Sequence, residues 1–199
     1  CTQRLYTVKI MKKTYLSGEQ LLVDSFKLAQ MIFVSGFKPT FIIALWRGGA
    51  PIGIAVQEYL SYHGIETDNI AIRTSSYAAG IDQQSRVVKV HDLNYLVKNV
   101  QEHDKLLIVD DVFDTGRSIA AVLKQLRVET RLNMPKEVRI AIPFYKPSRR
   151  EVDFEPDYFV HETAAWLKYP HSLEGLNVAE IKAHRPELYE ILKAHLPPT

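Results

Sequence analysis

The stretch Lys105 to Ser118, KLLIVDDVFDTGRS, constrains this chain more than any other. Its apolar start fits a strand buried on both faces, and that strand runs into two adjacent carboxylates, Asp110 and Asp111. Two apolar residues later Asp114-Thr115-Gly116-Arg117-Ser118 opens a helical pattern that continues to about Leu126. A strand that ends in acids and turns into a helix is the start of a β-α unit, and ligands of parallel sheets bind beyond the carboxyl ends of the strands. Backbone N–H groups in a tight turn at a helix N-terminus attract an anion. Gly116 permits close approach there, and the hydroxyls of Thr115 and Ser118 add donors for a phosphate. The carboxylate pair offers acceptors suited to a ribose diol. Asp114 or Thr115 taken alone could simply cap the helix. The ensemble is harder to dismiss, because crowded carboxylates at a sheet mouth repel and lose solvation unless something binds them.

Other segments repeat the alternation. Ser17 with Gln20 has the spacing of a capping box, opening a helix towards Gly36. The run Phe41 to Leu45 reads as a buried strand; Pro51 suits the first turn of a second helix and Gly64 its stop. Asn69 to Arg73, Arg86 to Val90, Leu106 to Asp110 and Val138 to Pro143 are further strands, with a helix over Arg117 to Leu126. Strands separated by helices imply an α/β fold with a central, mostly parallel sheet flanked by helices. At 199 residues one domain is expected. Neither a Walker loop nor a G-x-G-x-x-G turn occurs.

Bulk properties narrow the partners. A net charge of +2 is too small to argue for nucleic acid or a membrane surface, so neither is expected as a partner. The single cysteine, Cys1, rules out a disulfide framework within the chain. No apolar run approaches the roughly 20 residues that span a bilayer, and the first residues show no signal-peptide core, so a cytoplasmic location is expected.

Three further segments carry chemistry. Leu45-Trp46-Arg47-Gly48-Gly49-Ala50-Pro51 lies at a strand end, where Gly48 and Gly49 let the backbone fold around an anion and Arg47 supplies a forked cation. Ser76 and Tyr77 precede Ala78 to Gln84, which has no core periodicity. Lys146 directly follows a buried strand, and the aromatic Trp166 comes 20 positions later, with Leu167 beside it.

VDDVFDTGRS closely resembles the motif with which type I phosphoribosyltransferases bind 5-phosphoribosyl-1-pyrophosphate (PRPP). The resemblance implies that Asp110 and Asp111 hold the ribose hydroxyls and that Asp114, Thr115, Gly116, Arg117 and Ser118 wrap the 5-phosphate. Arg47, Gly48 and Gly49 resemble the family's pyrophosphate loop, where the peptide matching Trp46-Arg47 is often cis. Ser76 and Tyr77 resemble a mobile loop of the 6-oxopurine branch that closes over the reaction. In hypoxanthine–guanine and xanthine–guanine enzymes, the matching Lys146 donates to the purine 6-oxo group, Trp166 stacks on the ring and the backbone of Leu167 reads its edge. Asp114 is the implied proton acceptor. Mg2+ is the implied cofactor, with Asp110 and Asp111 near it through ribose or water. A homo-oligomer, dimer or tetramer, is implied as well.

The resemblance spans most of residues 15 to 171 and implies a hood subdomain from about 1–15 and 147–175, with a helical tail over 176–199. Two short amphipathic helices are expected in that tail, Pro186 starting the second. The chain also departs from the family. Where relatives carry an aspartate beyond the hood aromatic, it has His171, Ser172 and Leu173, the first carboxylate being Glu174, and Lys168 replaces an acid found in some xanthine-preferring members. Two rivals remain open: a PRPP-fold regulator that senses nucleotide pools, and a phosphoribosyltransferase for adenine or a pyrimidine. Lys146 argues against adenine, whose 6-amino group would face a cation.

Overall fold

In the computed structural model, which describes residues 13–78, 86–91 and 93–195, strands and helices alternate along the chain. In order they are β1 (Lys13–Tyr15), α1 (Gly18–Val34), β2 (Phe41–Trp46), α2 (Gly49–Tyr62), β3 (Asp68–Ala78), β4 (Arg86–Val90) and α3 (Asn94–Asn99). Then follow β5 (Lys105–Val109), β6 (Val112–Phe113), α4 (Arg117–Thr130), β7 (Glu137–Tyr145), β8 (Tyr158–Glu162), β9 (Trp166–Lys168), α5 (Val178–His184) and α6 (Pro186–Leu192).

The apolar, β-branched runs become the centre of the sheet, whose order is β4-β3-β2-β5-β7-β6, with β8 also paired to β7. All these pairings are parallel except β3 with β4. The α/β fold and mostly parallel sheet expected from the sequence are thus present. Ile43, Leu106, Ile108 and Ile142 are fully enclosed, with Ile119, Val122 and Leu126 of α4 packed into the same cluster. Burial of this kind supplies most of the stabilisation of such a sheet. Pro51 and Gly64 act as expected: Pro51 lies in the first turn of α2, and Gly64 takes a φ of +76° just beyond its end.

The described residues divide into two compact units, 13–18 with 165–195, and 19–164. This corrects the expected hood boundaries. Residues 147–164 belong with the sheet, because β8 pairs with β7 over Ala141 to Tyr145 and Thr163 N–H donates to Tyr145 O at 2.8 Å. The fully buried Asp24 of α1 reinforces that attachment: it accepts from Gln20 at 2.9 Å and Lys27 at 3.2 Å and meets His161 of β8 at 2.9 Å. Burial pushes this carboxyl up, but the hydrogen bonds from Gln20, His161 and Lys27 outweigh it and leave it below the usual range. In the smaller unit β1 and β9 form a parallel pair, and the tail helices belong with them.

Candidate active site

The parallel register brings the carboxyl ends of β2, β5 and β7 to one edge of the sheet. Ala44 of β2 lies opposite Val109 of β5, which lies opposite Ala141 of β7. Beyond Val109 the chain leaves the ladder for two residues, Asp110 and Asp111, and rejoins β7 as β6 without losing register. The diacid is therefore a local interruption between two strand segments that share one partner. Asp111 N–H donates to Asp110 Oδ1 at 2.9 Å. Burial, followed by the charge of Asp111, pushes the Asp110 carboxyl well above the ordinary carboxylate range. Burial likewise raises Asp111, to about 6, against hydrogen bonds that pull the other way. Two crowded acids whose ionisation is disfavoured are a place where a cation or hydroxyl donors would be stabilised.

The Arg47 loop presses against this pair. A Cβ on Gly48 would lie 2.3 Å from the Asp111 carboxyl carbon, and one on Gly49 would lie 2.5 Å from the Val109 carbonyl oxygen. Both glycines are needed for that approach, and their spacing in the sequence is explained by contact rather than by turn conformation. The Trp46–Arg47 peptide is cis, as the family resemblance implied. Arg47 is exposed.

At the other side of the diacid, Gly116 takes a φ of +79° immediately before α4. A Cβ there would strike Val152 at 2.5 Å and Phe113 at 2.7 Å, so glycine is required twice over. Gly116 brings no capping side chain, and the Thr115 hydroxyl makes a long 3.4 Å contact with the Arg117 N–H. The first turn of α4, including Ser118, thus presents backbone donors suited to an anion. The Arg117 side chain is turned to Glu151, away from the role the family resemblance implied for it.

The β6–β7 register also joins two motifs far apart in sequence. Phe113 lies opposite Tyr145, and Lys146 N–H donates to Phe113 O at 2.9 Å, so Asp114 and Lys146 emerge side by side. Lys146 is 5% exposed, and its Nζ donates to Asp114 Oδ2 at 3.2 Å. Arg149 Nε approaches Asp114 Oδ1 at 2.7 Å. Sequence reading missed Arg149. Its signal was present: Pro147 starts a single 3-10 turn after the strand, which returns residue 149 over residue 146.

Other expected residues belong to other elements. Ser76 and Tyr77 belong to β3, their backbones opposite Val88 and Val87 of β4. The strand runs five residues past the expected Arg73, because the β4 partner extends the ladder; residues 79–85 lie outside the described residues. Trp166 and Leu167 lie in β9 of the smaller unit, opposite Lys13 and Thr14. Trp166 is 44% exposed, so it is not a core aromatic. No group of three or more His, Cys, Asp or Glu side chains that could hold a metal occurs among the described residues. No helix among them is long and apolar enough to cross a membrane.

Comparison with known proteins agrees with this geometry. Residues 12–175 match the phosphoribosyl transferase domain family. A hypoxanthine-guanine phosphoribosyltransferase of Streptococcus pyogenes is 30% identical over 149 residues, covering 75% of this chain and 71% of that protein. One from Lactococcus lactis is 29% identical over 187 residues, covering 91% and 95%. The crystal structure of a purine phosphoribosyltransferase from Pyrococcus horikoshii superposes with a TM-score of 0.64 at 27% identity, covering 84% of this chain and 98% of that one. With an acidic strand end, a glycine loop pressed against it and an open helix N-terminus in one place, the chain belongs to the phosphoribosyltransferase family.

Proposed function

We propose that this protein is a purine-salvage enzyme that transfers ribose 5-phosphate from PRPP to a 6-oxopurine, hypoxanthine or guanine and in some measure xanthine, releasing pyrophosphate. The observation that carries the base class is Lys146, a buried cation at the end of β7 beside the PRPP motif. A purine 6-oxo group is a second acceptor for that ammonium beside Asp114, whereas a 6-amino group would set its own N–H donors against the cation.

In this reading the first turn of α4, with Thr115 and Ser118, binds the 5-phosphate, and Asp110 and Asp111 accept from the ribose hydroxyls. Arg47 and the amides of Gly48 and Gly49 bind the pyrophosphate and stabilise it as it leaves. N9 of the base forms a bond to the anomeric carbon while the bond from that carbon to the pyrophosphate oxygen breaks. The proton lost by the purine passes to Asp114. For this to happen, one Asp114 oxygen must be released by its cation, Lys146 through its turn to the 6-oxo group or Arg149 by swinging outward. Ser76 and Tyr77 take part in a lid that excludes water from the cationic sugar. Trp166 and the Leu167 backbone keep the base-binding roles that the family resemblance gives them.

The raised carboxyls of Asp110 and Asp111 fit an Mg2+ ion held through ribose or water, which would supply charge neutralisation for the pyrophosphate. We place the enzyme in the cytoplasm, as a dimer or tetramer, with PRPP and the purine as its partners. The test is PRPP-dependent pyrophosphate release measured with hypoxanthine, guanine, xanthine and adenine in turn. Turnover of hypoxanthine or guanine supports the reading. Efficient use of adenine, or inactivity with all three 6-oxopurines, overturns it.

A further inference from the structure

Three carbonyl oxygens of one turn converge on a single side chain in the smaller unit. Arg185 Nη1 donates to Ser172 O at 2.7 Å and reaches Pro170 O at 3.4 Å, while Nη2 donates to Tyr169 O at 2.5 Å. This turn directly follows β9 and is closed by Ser172 N–H donating to Tyr169 O at 3.1 Å. Carbonyl dipoles aimed at one point repel unless a donor group sits among them. A guanidinium is suited to that place, because its planar fork presents five donors.

Arg185 is itself fixed from both sides. Its N–H donates to Ile181 O at 2.8 Å at the end of α5, and its carbonyl accepts from Tyr189 N–H at 2.9 Å in α6. The strand it serves is poorly supported on its own. A parallel pair of three residues each, Lys13 to Tyr15 with Trp166 to Lys168, is too short to be stable by itself. Other ties secure the far end of the loop: Lys168 Nζ donates to Glu174 O at 2.7 Å, and Lys13 Nζ to Gly175 O at 3.1 Å. The turn nearest to Trp166 and Leu167 is held by Arg185.

We propose that Arg185 is a positioning residue for base recognition. Its guanidinium, set by the α5–α6 junction, fixes the turn at 169–172 and through it the Trp166 ring and the Leu167 backbone. This rests on the reading of Trp166 and Leu167 as base-binding residues. It gives the tail a role in purine affinity, while PRPP binding and the chemical step, which depend on β5, α4 and the Arg47 loop, stay untouched.

The test compares Arg185→Ala and Arg185→Lys with Trp166→Ala, using steady-state kinetics with hypoxanthine or guanine and calorimetry with PRPP. Misplacing a binding surface by a fraction of an ångström should raise the KM for the base about tenfold in Arg185→Ala, with kcat changed by less than about twofold. Arg185→Lys should fall between wild type and Arg185→Ala, because an ammonium donates from a single nitrogen and cannot reproduce the planar fork that spans the turn, and it decides the question alone if the alanine variant does not fold. PRPP affinity should be unchanged throughout. A purely structural residue would instead lower PRPP affinity and kcat together with base affinity. If Trp166→Ala raises the base KM and the Arg185 variants do not, or if PRPP affinity falls with them, the inference fails and the base-site reading stands. If Trp166→Ala leaves the base KM unchanged, the base-site reading fails and takes the inference with it.

Discussion

Lys146 Nζ lies 3.2 Å from Asp114 Oδ2, although 32 positions separate the two residues. The contact follows from the ladder, since Phe113 and Tyr145 are opposite one another and each chain then delivers its polar residue to the same point. A buried ammonium beside a carboxylate puts the proposed base-reading group and the proposed proton acceptor within one hydrogen bond. Removal of Asp114 is expected to leave the buried ammonium without its carboxylate, whereas removal of Lys146 leaves Asp114 paired with Arg149.

Asp114→Asn should keep PRPP affinity and lose turnover. The amide preserves shape and still packs beside Lys146, but it cannot take the purine's proton. Losses of general-base catalysis run about 10²–10⁴-fold, to be read from kcat at saturating substrates. Unchanged kcat would remove Asp114 from that role.

Lys146→Ala should erode base choice as well as rate. Wild type is expected to prefer hypoxanthine or guanine over adenine by up to about 10⁴-fold in kcat/KM, because adenine's 6-amino group would set donors against the buried ammonium in place of an acceptor. The variant should narrow that ratio. Retention of the full preference by the alanine variant would show that another group reads the 6-position.

Arg47→Ala should weaken PRPP and pyrophosphate together and slow the reaction, since the guanidinium meets the same phosphates before and after the bond breaks. Calorimetry with each ligand gives the answer: unchanged affinities for both would take Arg47 out of the site.

Gly48→Ala tests the contact between loop and diacid. The added methyl would lie 2.3 Å from the Asp111 carboxyl carbon, so either the loop or the carboxylate must move. PRPP affinity is expected to fall at least tenfold, roughly 1.4 kcal/mol, while the melting temperature changes little, because the site is at the open edge of the sheet. Wild-type PRPP affinity in the variant would mean that the two elements are free to part.

Glu180 provides a pH test of the tail. Hydrogen bonds from Lys13, from the Asn177 N–H and from Tyr15 hold its carboxyl at about 2, below the ordinary 4.5. A depressed carboxyl stabilises the folded state in full above its unfolded pKa and loses that contribution as pH falls towards the folded one. Wild type should therefore melt higher than Glu180→Gln at pH 6, and the difference should shrink between about pH 5 and pH 3. A difference independent of pH would mean that the ion pair contributes nothing.

Much of the sheet and its acidic edge was legible because the signals are local. Buried strands announce themselves as apolar runs, and the diacid, Gly116 and the Gly48-Gly49 pair carry their chemistry in adjacent residues. What escaped depends on pairing at a distance. Nothing near Tyr158 to Glu162 says that it will join β7, so residues 147–164 were grouped with the wrong unit. The three-residue strands β1 and β9 are too short to show a period, and Arg117 turned to Glu151 because the chain returns there after the 3-10 turn. Arg149 was overlooked because its partner, Asp114, is set by the β6–β7 register and not by spacing along the chain.

That register has a consequence for how such a site can change. The sugar-side acids leave one strand and the base-side lysine leaves its neighbour, so the sheet works as a ruler with discrete gradations. Pairing shifts only in whole residues, about 3.3 Å apiece, and a shift of one turns every side chain to the opposite face. A site carried on loops could drift gradually to fit a larger heterocycle. This one can only jump, so new base preferences are expected to arise by exchanging the side chain at position 146 while the spacing between strands stays as it is.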